Sequence, residues 1–247
     1  MVVFLCAHFA ACSKATTDAT AREKRITKIV SEYIFNGLTD ESSITFKYDS
    51  RGRLAESSAM GKSYMSEWSS EWSSEVTYKW TDTAIIYTEN YEYENIPYVY
   101  EWTYILLSNG LVGTLDYGAG YSEDLSYNAD GRYNAFGLWV WEGDKLMCTY
   151  SDYMSVYTYG EPCKSGYAPL FTVYDNSLFL VHPELIGVRT KQLPIGCTHT
   201  GYFDKEAAPY STTYEYEFDA EGYVVKIVRT NIFDNYSHIY TDIFTWE

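Results

Sequence analysis

The sequence is poor in positive charge and has no long apolar run. It holds 18 Lys and Arg residues against 34 Asp and Glu residues, a formal net charge of -16. A surface this negative repels nucleic-acid phosphates and anionic lipid headgroups, so we expect no nucleic-acid partner and no polybasic docking to a membrane. No stretch reaches the roughly 18 apolar residues that a membrane-spanning helix needs. The oligomeric state stays open, with a monomer favoured.

Catalytic motifs and metal-ligand spacings are also absent from the sequence. It contains no Gly-x-Ser-x-Gly segment, no phosphate-binding loop, no His-Glu-x-x-His and no Cys-x-x-Cys. His182, His199 and His238 are scattered and share no ligand spacing. In so acidic a chain some carboxylates come close by chance, so their number does not indicate a glycosidase. We therefore predict no enzymatic activity, no metal and no cofactor.

The N-terminal segment combines a largely apolar run with small residues and a cysteine. Phe9-Ala10-Ala11-Cys12-Ser13 resembles the lipobox of bacterial lipoproteins, in which the cysteine thiol receives the lipid after cleavage of the signal peptide. The run is short and lacks a cationic start, so an ordinary N-terminal strand is the alternative. We expect a signal peptide over 1–11, a tether over 12–25, and a membrane anchor on Cys12.

Three cysteines follow the lipobox, namely Cys148, Cys163 and Cys197. An odd number in an exported chain permits one disulfide and one free thiol, and Cys148–Cys163 would close the shortest loop. Three free, buried thiols are the alternative, because an unpaired cysteine behaves as a small hydrophobic residue.

Aromatic residues are unusually frequent, at 18% of the chain with 27 Tyr. They favour pleated, half-buried surfaces, and here they recur with a period of two. Such alternation places Tyr98, Tyr100, Trp102 and Tyr104 on one face of a strand, and it places Tyr214 and Tyr216 opposite the acidic Glu215 and Glu217. The pattern predicts antiparallel strands with one face in water.

Glycine-bearing turns separate these alternating segments. Three of them share a spacing: Asp49-Ser50-Arg51-Gly52, Asn128-Ala129-Asp130-Gly131 and Asp219-Ala220-Glu221-Gly222. The Asp or Asn side chain can accept a backbone N–H two residues later, and the glycine can take the left-handed conformation that closes a hairpin. Asn109-Gly110 predicts a two-residue type I′ turn. We assign Gly52, Gly110, Gly131 and Gly222 as structural turn residues.

The body of the chain, 26–247, has no linker that would divide it, so we predict one all-β domain. At roughly 14–16 residues per strand and turn it holds about 14–16 strands, and an antiparallel sheet that large is expected to close into a barrel. We expect at most one or two short helices. His182 to Val188 predicts one of them, and Lys191 to Pro209 predicts an irregular excursion.

Several segments together resemble a known family. They are Phe46 to Leu54, Trp141 to Leu146 with Tyr157 to Tyr159 after it, Gly187 to Pro194, and Tyr214 to Val224. Their order is similar to that of the Bacteroidetes lipoproteins of unknown function with a porin-like, antiparallel barrel. The resemblance implies a soluble porin-like barrel at the outer membrane and a lipid-binding label that some members carry, and it implies no catalytic residues. Ser13-Lys14 after the lipidated cysteine favours the periplasmic face over the cell surface.

The aromatic surplus motivates three functional hypotheses. The first is a lipoprotein that binds a lipid-like or amphipathic ligand inside the barrel, because more than about eight strands leave interior space. The second is a glycan-binding lipoprotein with exposed Trp and Tyr rings, and the third is an envelope scaffold without a small ligand. In the first two cases the rings could instead fill a core. The candidate ligand-binding residues are Trp68, Trp72, Trp80, Tyr98, Tyr100 and Trp102.

Overall fold

A computed structural model describes residues 24–63, 70–162, 177–188, 192–203 and 206–247. The fifteen strands are β1 Ile26–Phe35, β2 Leu38–Tyr48, β3 Leu54–Ser63, β4 Ser70–Trp80, β5 Ala84–Tyr93, β6 Ile96–Leu106, β7 Val112–Asp116, β8 Ser122–Asp124, β9 Trp139–Glu142, β10 Lys145–Tyr150, β11 Tyr153–Pro162, β12 Gln192–Gly201, β13 Tyr210–Phe218, β14 Val224–Ile232 and β15 Ser237–Trp246. The helical segments are α1 Ser177–Val181 and the 3-10 turns Ala135–Gly137 and Pro183–Ile186. Within these ranges no helix has the length and apolar character to cross a bilayer.

All fifteen strands belong to one sheet, and every neighbouring pair is antiparallel. The first and last strands pair from Ile26 with Trp246 to Ile34 with Ile239, so the two ends of the described chain meet inside the sheet. The spatial order therefore runs from β8 back to β1 and then from β15 back to β9. The predicted all-β antiparallel meander and its number of strands are confirmed.

The sheet does not close into a continuous hydrogen-bonded ring among the described residues, as a fully paired barrel would. β8 and β9 are the two edges of the sheet and do not pair with each other among the described residues. In the segment between them, 125–138, which we call the seam, the only β pairing among the described residues is the isolated bridge between Tyr127 and Tyr133. Several of its backbone hydrogen bonds are local, such as Asn134 N–H to the Ser126 carbonyl at 3.0 Å, and the Tyr133 N–H donates to the Ile186 carbonyl at 3.1 Å. The fold is thus barrel-like, with a seam in place of a continuous hydrogen-bonded ring.

Alternating strand directions place the hairpin turns at two ends of the structure. Gly52, Gly110, Gly131 and Gly222 have φ values of 81°, 84°, 73° and 91°, the left-handed conformation that glycine adopts without strain. At Asn109-Gly110 only the glycine has a positive φ, so this turn is a type I turn followed by a bulge, and the predicted type I′ assignment is wrong. Type I′ geometry occurs instead at the opposite end, where both Asn36-Gly37 and Glu94-Asn95 have positive φ.

One end of the interior is filled by the connection between β11 and β12. Its described part, 177–188, which we call the plug, buries Leu178, Phe179 and Leu180. The Phe179 ring packs edge-on against Tyr104 at 5.5 Å. The His182 Nε2 accepts the Leu54 N–H at 3.1 Å. The predicted short helix corresponds to the 3-10 turn that Gly187 ends, whereas α1 was not predicted.

Inward-facing aromatic side chains at the plugged end donate hydrogen bonds to backbone carbonyls of other segments, and we call these pairs aromatic clasps. They join Tyr48 to Ile26, Trp80 to Leu54, Tyr127 to Val112, Trp141 to Tyr133, Tyr159 to Leu146, Tyr216 to Pro194 and Trp246 to Val224. Except for Tyr133, each accepting residue lies at a register shift. A bulge disrupts ladder pairing, so the aromatic donor supplies the partner that the buried carbonyl would otherwise lack.

The predicted irregular excursion from Lys191 to Pro209 is also wrong in part. β12 occupies Gln192–Gly201 and pairs with both β11 and β13. Pro194 lies at a register shift of the β11–β12 ladder, where the missing N–H of proline is tolerated.

Candidate functional site

The interior changes character along its length. On β6, Tyr98, Tyr100 and Tyr104 lie on the same inward face, yet Tyr104 is 0% exposed whereas Tyr98 and Tyr100 are 40% and 45% exposed. The plug packs against Tyr104 and does not extend to the other two rings in the described structure. We call the inward-facing surface on the side away from the plug the open half.

A row of aromatic rings crosses β4, β5 and β6 in the open half. Trp72 lies 6.5 Å from Tyr91, and Tyr91 lies 6.1 Å from Tyr98. Tyr98 and Tyr100 are nearly parallel, with their centroids 6.3 Å apart. These four residues form what we call the tyrosine wall. Their rings offer apolar faces and their hydroxyls offer hydrogen bonds, a combination suited to amphipathic partners.

A second row of rings crosses β12, β13 and the β14–β15 hairpin. His199 stacks on Tyr210 at 4.0 Å, Tyr210 on Phe233 at 4.7 Å, and Phe233 on Tyr236 at 4.6 Å. Tyr236 continues the row toward His238 at 5.3 Å. We call these five residues the histidine wall.

His199 belongs to a polar chain that fixes its tautomer. The Thr212 hydroxyl donates to Asn231 Oδ1 at 2.9 Å, so it accepts from the His199 Nε2–H at 2.8 Å. Nδ1 is then the acceptor for the Ser155 hydroxyl, also at 2.8 Å. Burial lowers the pKa of His199 to about 4. A base this weak is a poor general base at neutral pH, so the Ser155–His199 pair is better explained as a structural contact than as a catalytic dyad.

Some buried polar side-chain atoms on the inward-facing surface have no hydrogen-bond partner among the described residues. His238 Nδ1 lies 2.9 Å from the Tyr33 hydroxyl, whereas its buried Nε2 has no hydrogen-bond partner in the described structure. Burial is the main cause that raises the pKa of Tyr33 to about 12, and Tyr33 also stacks on Tyr240 at 4.5 Å. Buried polar atoms are usually paired, so an unpaired one is a candidate contact for a ligand.

A cavity of about 250 Å³ lies where β1–β4 meet β14 and β15, and we call it the Trp72–Arg229 cavity. Its lining residues are Ser31, Glu32, Tyr33, Asp40, Glu41, Ser42, Lys62, Ser63, Trp72, Arg229, Tyr240 and Asp242. The Arg229 guanidinium lies 4.1 Å from the Tyr240 ring centroid, and its buried Nε has no hydrogen-bond partner among the described residues. Asp242 accepts the Ser31 hydroxyl at 2.6 Å.

Gly61 makes room for the indole ring in this cavity. It lies directly opposite Trp72 in the β3–β4 ladder. A Cβ at position 61 would come within 2.6 Å of the Trp72 ring atoms Cε2 and Nε1. The ring therefore covers the glycine backbone, an arrangement that compensates for the missing side chain in a sheet.

A larger groove of about 790 Å³ opens beside this cavity and extends onto outward-facing positions. Its lining includes the exposed apolar residues Val30, Met60 and Ile243, together with several charged side chains. Lys62 and Glu71, which form an ion pair, lie within this lining. The groove and the Trp72–Arg229 cavity share the lining residues Ser31, Glu32, Glu41, Ser42, Lys62 and Trp72.

The structure separates the predicted ligand-binding residues into two groups. Trp72, Tyr98 and Tyr100 lie in the open half. Trp80 instead forms an aromatic clasp, and Trp102 stacks on Tyr87 at 3.8 Å while its N–H donates to the Tyr104 hydroxyl. Trp80 and Trp102 thus take part in packing toward the plugged end. Trp68 and the lipidation residue Cys12 lie outside the described residues.

The cysteines contribute no identified site. Cys148 and Cys197 are buried and form no disulfide among the described residues, and burial raises the pKa of Cys197 to about 12. Cys163 lies outside the described residues, so the Cys148–Cys163 disulfide stays a prediction. No group of three or more His, Cys, Asp or Glu residues suited to a metal ion occurs within the described ranges.

Arg229 and the histidine wall were not identified from the sequence. Arg229 follows Ile227 at the same parity on β14, so the alternation does place a cation on the inward face. The parity of Arg229 does not show which side chains lie near it. Those neighbours depend on the pairing of β1 with β15, which brings Tyr33 and Ser31 beside Tyr240 and Asp242.

The comparison with solved structures bears on the fold. A porin-like protein from Bacteroides uniformis superposes with a TM-score of 0.59 at 18% identity, covering 90% of this chain and 96% of that chain. This chain has a porin-like fold. A porin-like protein from Bacteroides vulgatus is 13% identical and covers 90% of this chain and 98% of its own, but its TM-score of 0.30 is too low to compare folds. No protein-family model matches the sequence, and no curated protein does.

Proposed function

We propose that this chain is a lipid-anchored envelope protein that binds an amphipathic ligand in the open half of its interior. The observation that carries the proposal is the contrast on β6, where the same inward face is fully buried at Tyr104 and 40–45% exposed at Tyr98 and Tyr100. Rings that only filled a core would be covered along the whole strand. Exposed, ordered Tyr and Trp rings are characteristic of binding surfaces that meet both apolar and polar groups.

The lining favours a ligand that carries polar groups over a bare acyl chain. The fully buried aliphatic side chains, including Leu54, Ile85 and Leu146, belong to the core cluster at the plugged end. The open half instead presents the tyrosine wall, the histidine wall and unpaired polar atoms of Arg229 and His238. A hydrocarbon chain would leave these atoms buried without partners, which costs free energy.

An envelope location is supported by three observations. The lipobox at Cys12 would attach the chain to a membrane, and Ser13-Lys14 after it favours the periplasmic face. The fold neighbour in Bacteroides uniformis is described as porin-like. The outward faces of β2–β4, β13 and β14 carry exposed ion pairs such as Lys47–Glu56 and Lys226–Glu217, unlike the aliphatic band of a lipid-inserted barrel. These features together favour attachment by lipid over insertion of the strands.

The test is native mass spectrometry of the protein purified from cells, followed by extraction and identification of bound small molecules. We expect a bound amphiphile that is lost in the double variant Tyr98→Ala/Tyr100→Ala. Val99→Ala is the matched control, because Val99 lies between the two tyrosines on the same strand and is 69% exposed on the outward face. A wild-type protein that carries no small molecule and binds none of a panel of amphiphiles would contradict the proposal.

A further inference from the structure

The Trp72–Arg229 cavity combines an aromatic face with hydrogen-bonding groups of both kinds. Trp72, Tyr33 and Tyr240 supply the rings. The Arg229 Nε is a buried donor without a partner among the described residues, while Asp40 and Asp242 supply carboxylate oxygens. Ser31, Ser42 and Ser63 add hydroxyl groups, which can both donate and accept.

The Trp72 ring is held as a platform. Its indole covers Gly61, where any side chain would meet the ring at 2.6 Å. One face of the ring therefore rests on the sheet, and the residue also lines the cavity. A flat aromatic surface backed by a sheet can receive the apolar face of a ring-shaped ligand without moving.

The charges of the lining limit what can bind there. Glu32, Asp40, Glu41 and Asp242 place four carboxylates around the cavity against the two cations Lys62 and Arg229. An anionic group would be repelled by this excess and by the net charge of -16. A cationic group would face the Arg229 guanidinium and leave its Nε–H unpaired. An acyl chain would leave the Arg229 Nε–H unpaired.

We propose that the Trp72–Arg229 cavity is a subsite for one neutral sugar residue, so that the amphipathic ligand of the proposed function is a glycan or carries one. A sugar ring has an apolar face that can lie on the Trp72 indole. Its ring and hydroxyl oxygens accept hydrogen bonds from Arg229, and its hydroxyl groups donate to Asp40 and Asp242. Unlike an anionic group, a cationic group or an acyl chain, a neutral sugar can use the platform, the Arg229 donor and the carboxylate oxygens together. The proposal rests on the proposed function and narrows it.

The experiment uses the full chain on an array of neutral oligosaccharides of glucose, galactose, mannose, xylose and N-acetylglucosamine. Dodecanoate and dodecylphosphocholine are tested in parallel as amphiphiles without a sugar. We expect binding to at least one neutral glycan, followed by titration calorimetry with that glycan. Binding of only the sugar-free amphiphiles would overturn the sugar subsite while leaving the proposed function standing, and binding of neither class would overturn both.

Variants then locate the subsite. Trp72→Ala and Arg229→Gln should each weaken glycan binding by about tenfold or more, because one removes the platform and the other the buried donor. Gly61→Ala should also weaken binding by displacing the ring while keeping every cavity side chain. Arg51→Gln, at an exposed turn position, is the matched control and should bind as the wild type does. Circular dichroism and thermal melting verify folding, and unchanged affinity in folded Trp72→Ala and Arg229→Gln proteins would overturn the assignment.

Discussion

The plugged end and the open half of the interior are built from the same strands and the same alternating sequence pattern. β6 contributes Tyr104 to the first and Tyr98 and Tyr100 to the second. What differs is the partner: the plug covers Tyr104, whereas the other rings keep substantial solvent exposure. Alternation therefore determines which way an aromatic ring points, and tertiary packing determines whether the ring belongs to the core or to a binding surface.

The largest loss of stability is expected when a buried side chain of the plug is removed. Phe179 is 0% exposed and packs on Tyr104, so Phe179→Ala should lower the free energy of unfolding by about 3–5 kcal/mol. Phe233→Ala, in the half-exposed histidine wall, should cost no more than about 2 kcal/mol. Urea unfolding followed by circular dichroism measures both. Equal losses would mean that the two halves are packed alike.

The second largest expected effect is a loss of stability at acidic pH that is caused by His199 in the histidine wall. The pKa of His199 is lowered from 6.5 in the unfolded chain to about 4 by burial, so the unfolded state takes up the proton first. The stability that His199 contributes is therefore complete above about pH 6.5 and is lost as the pH falls toward 4. With allowance for its partial exposure, we expect a loss of about 2 kcal/mol.

The measurement is the unfolding free energy of the wild type and of His199→Gln at pH 7 and at pH 4.5. The difference between these two pH values should be smaller in the variant. Asp49 and Asp219 contribute little to the difference in stability between pH 7 and pH 4.5. Backbone hydrogen bonds lower the pKa of both carboxyl groups below 3.8, so the stability that they contribute is lost only in stronger acid. An identical pH dependence in both proteins would contradict the buried, neutral state of His199.

A smaller effect is expected from removing one aromatic clasp. The Tyr48 hydroxyl donates to the Ile26 carbonyl at 2.7 Å, at a register shift of the β1–β15 ladder. Tyr48→Phe keeps the ring and leaves that carbonyl without this donor, so it should cost about 1–2 kcal/mol. Tyr100→Phe makes the same chemical change in the open half and serves as the control. Thermal melting of the two variants should shift only the first, and a matching shift in Tyr100→Phe would argue against the role of the clasps.

The smallest effect on stability is expected in the tyrosine wall. Tyr100 is 45% exposed, so Tyr100→Ala should change the free energy of unfolding by less than about 0.5 kcal/mol while it weakens ligand binding. Urea titration and the native mass spectrometry described above measure the two properties. A large loss of stability would show that Tyr100 supports the fold, and its exposure would then need another explanation.

The sequence predicted the sheet because its signals are local. Alternation along Tyr98 to Tyr104 fixes a strand, and turns such as Asp49 to Gly52 fix where the strand reverses. The type of turn at Asn109-Gly110 was missed because the same dipeptide also suits a type I turn with a bulge. The plug was missed because the five residues of α1, Ser177–Val181, form a short apolar run that periodicity cannot distinguish from a buried strand.

The candidate site could be predicted only in part. Parity places Trp72, Tyr98 and Tyr100 on the inward face, and it does the same for Trp80 and Trp102, which the fold uses for packing. The Trp72–Arg229 cavity requires the pairing of the first strand with the last, a contact between segments about two hundred residues apart. The aromatic clasps depend on where bulges free a carbonyl, and bulge positions have no clear signal in one sequence.

Residue-resolved hydroxyl-radical footprinting tests the division of the interior most directly. Modification of each tyrosine and tryptophan would be quantified by mass spectrometry on the folded protein. The account predicts rapid modification of Tyr98, Tyr100 and Tyr236, and strong protection of Tyr78, Tyr87 and Tyr104. Comparable protection of both groups would contradict it, because the interior would then be filled along its whole length.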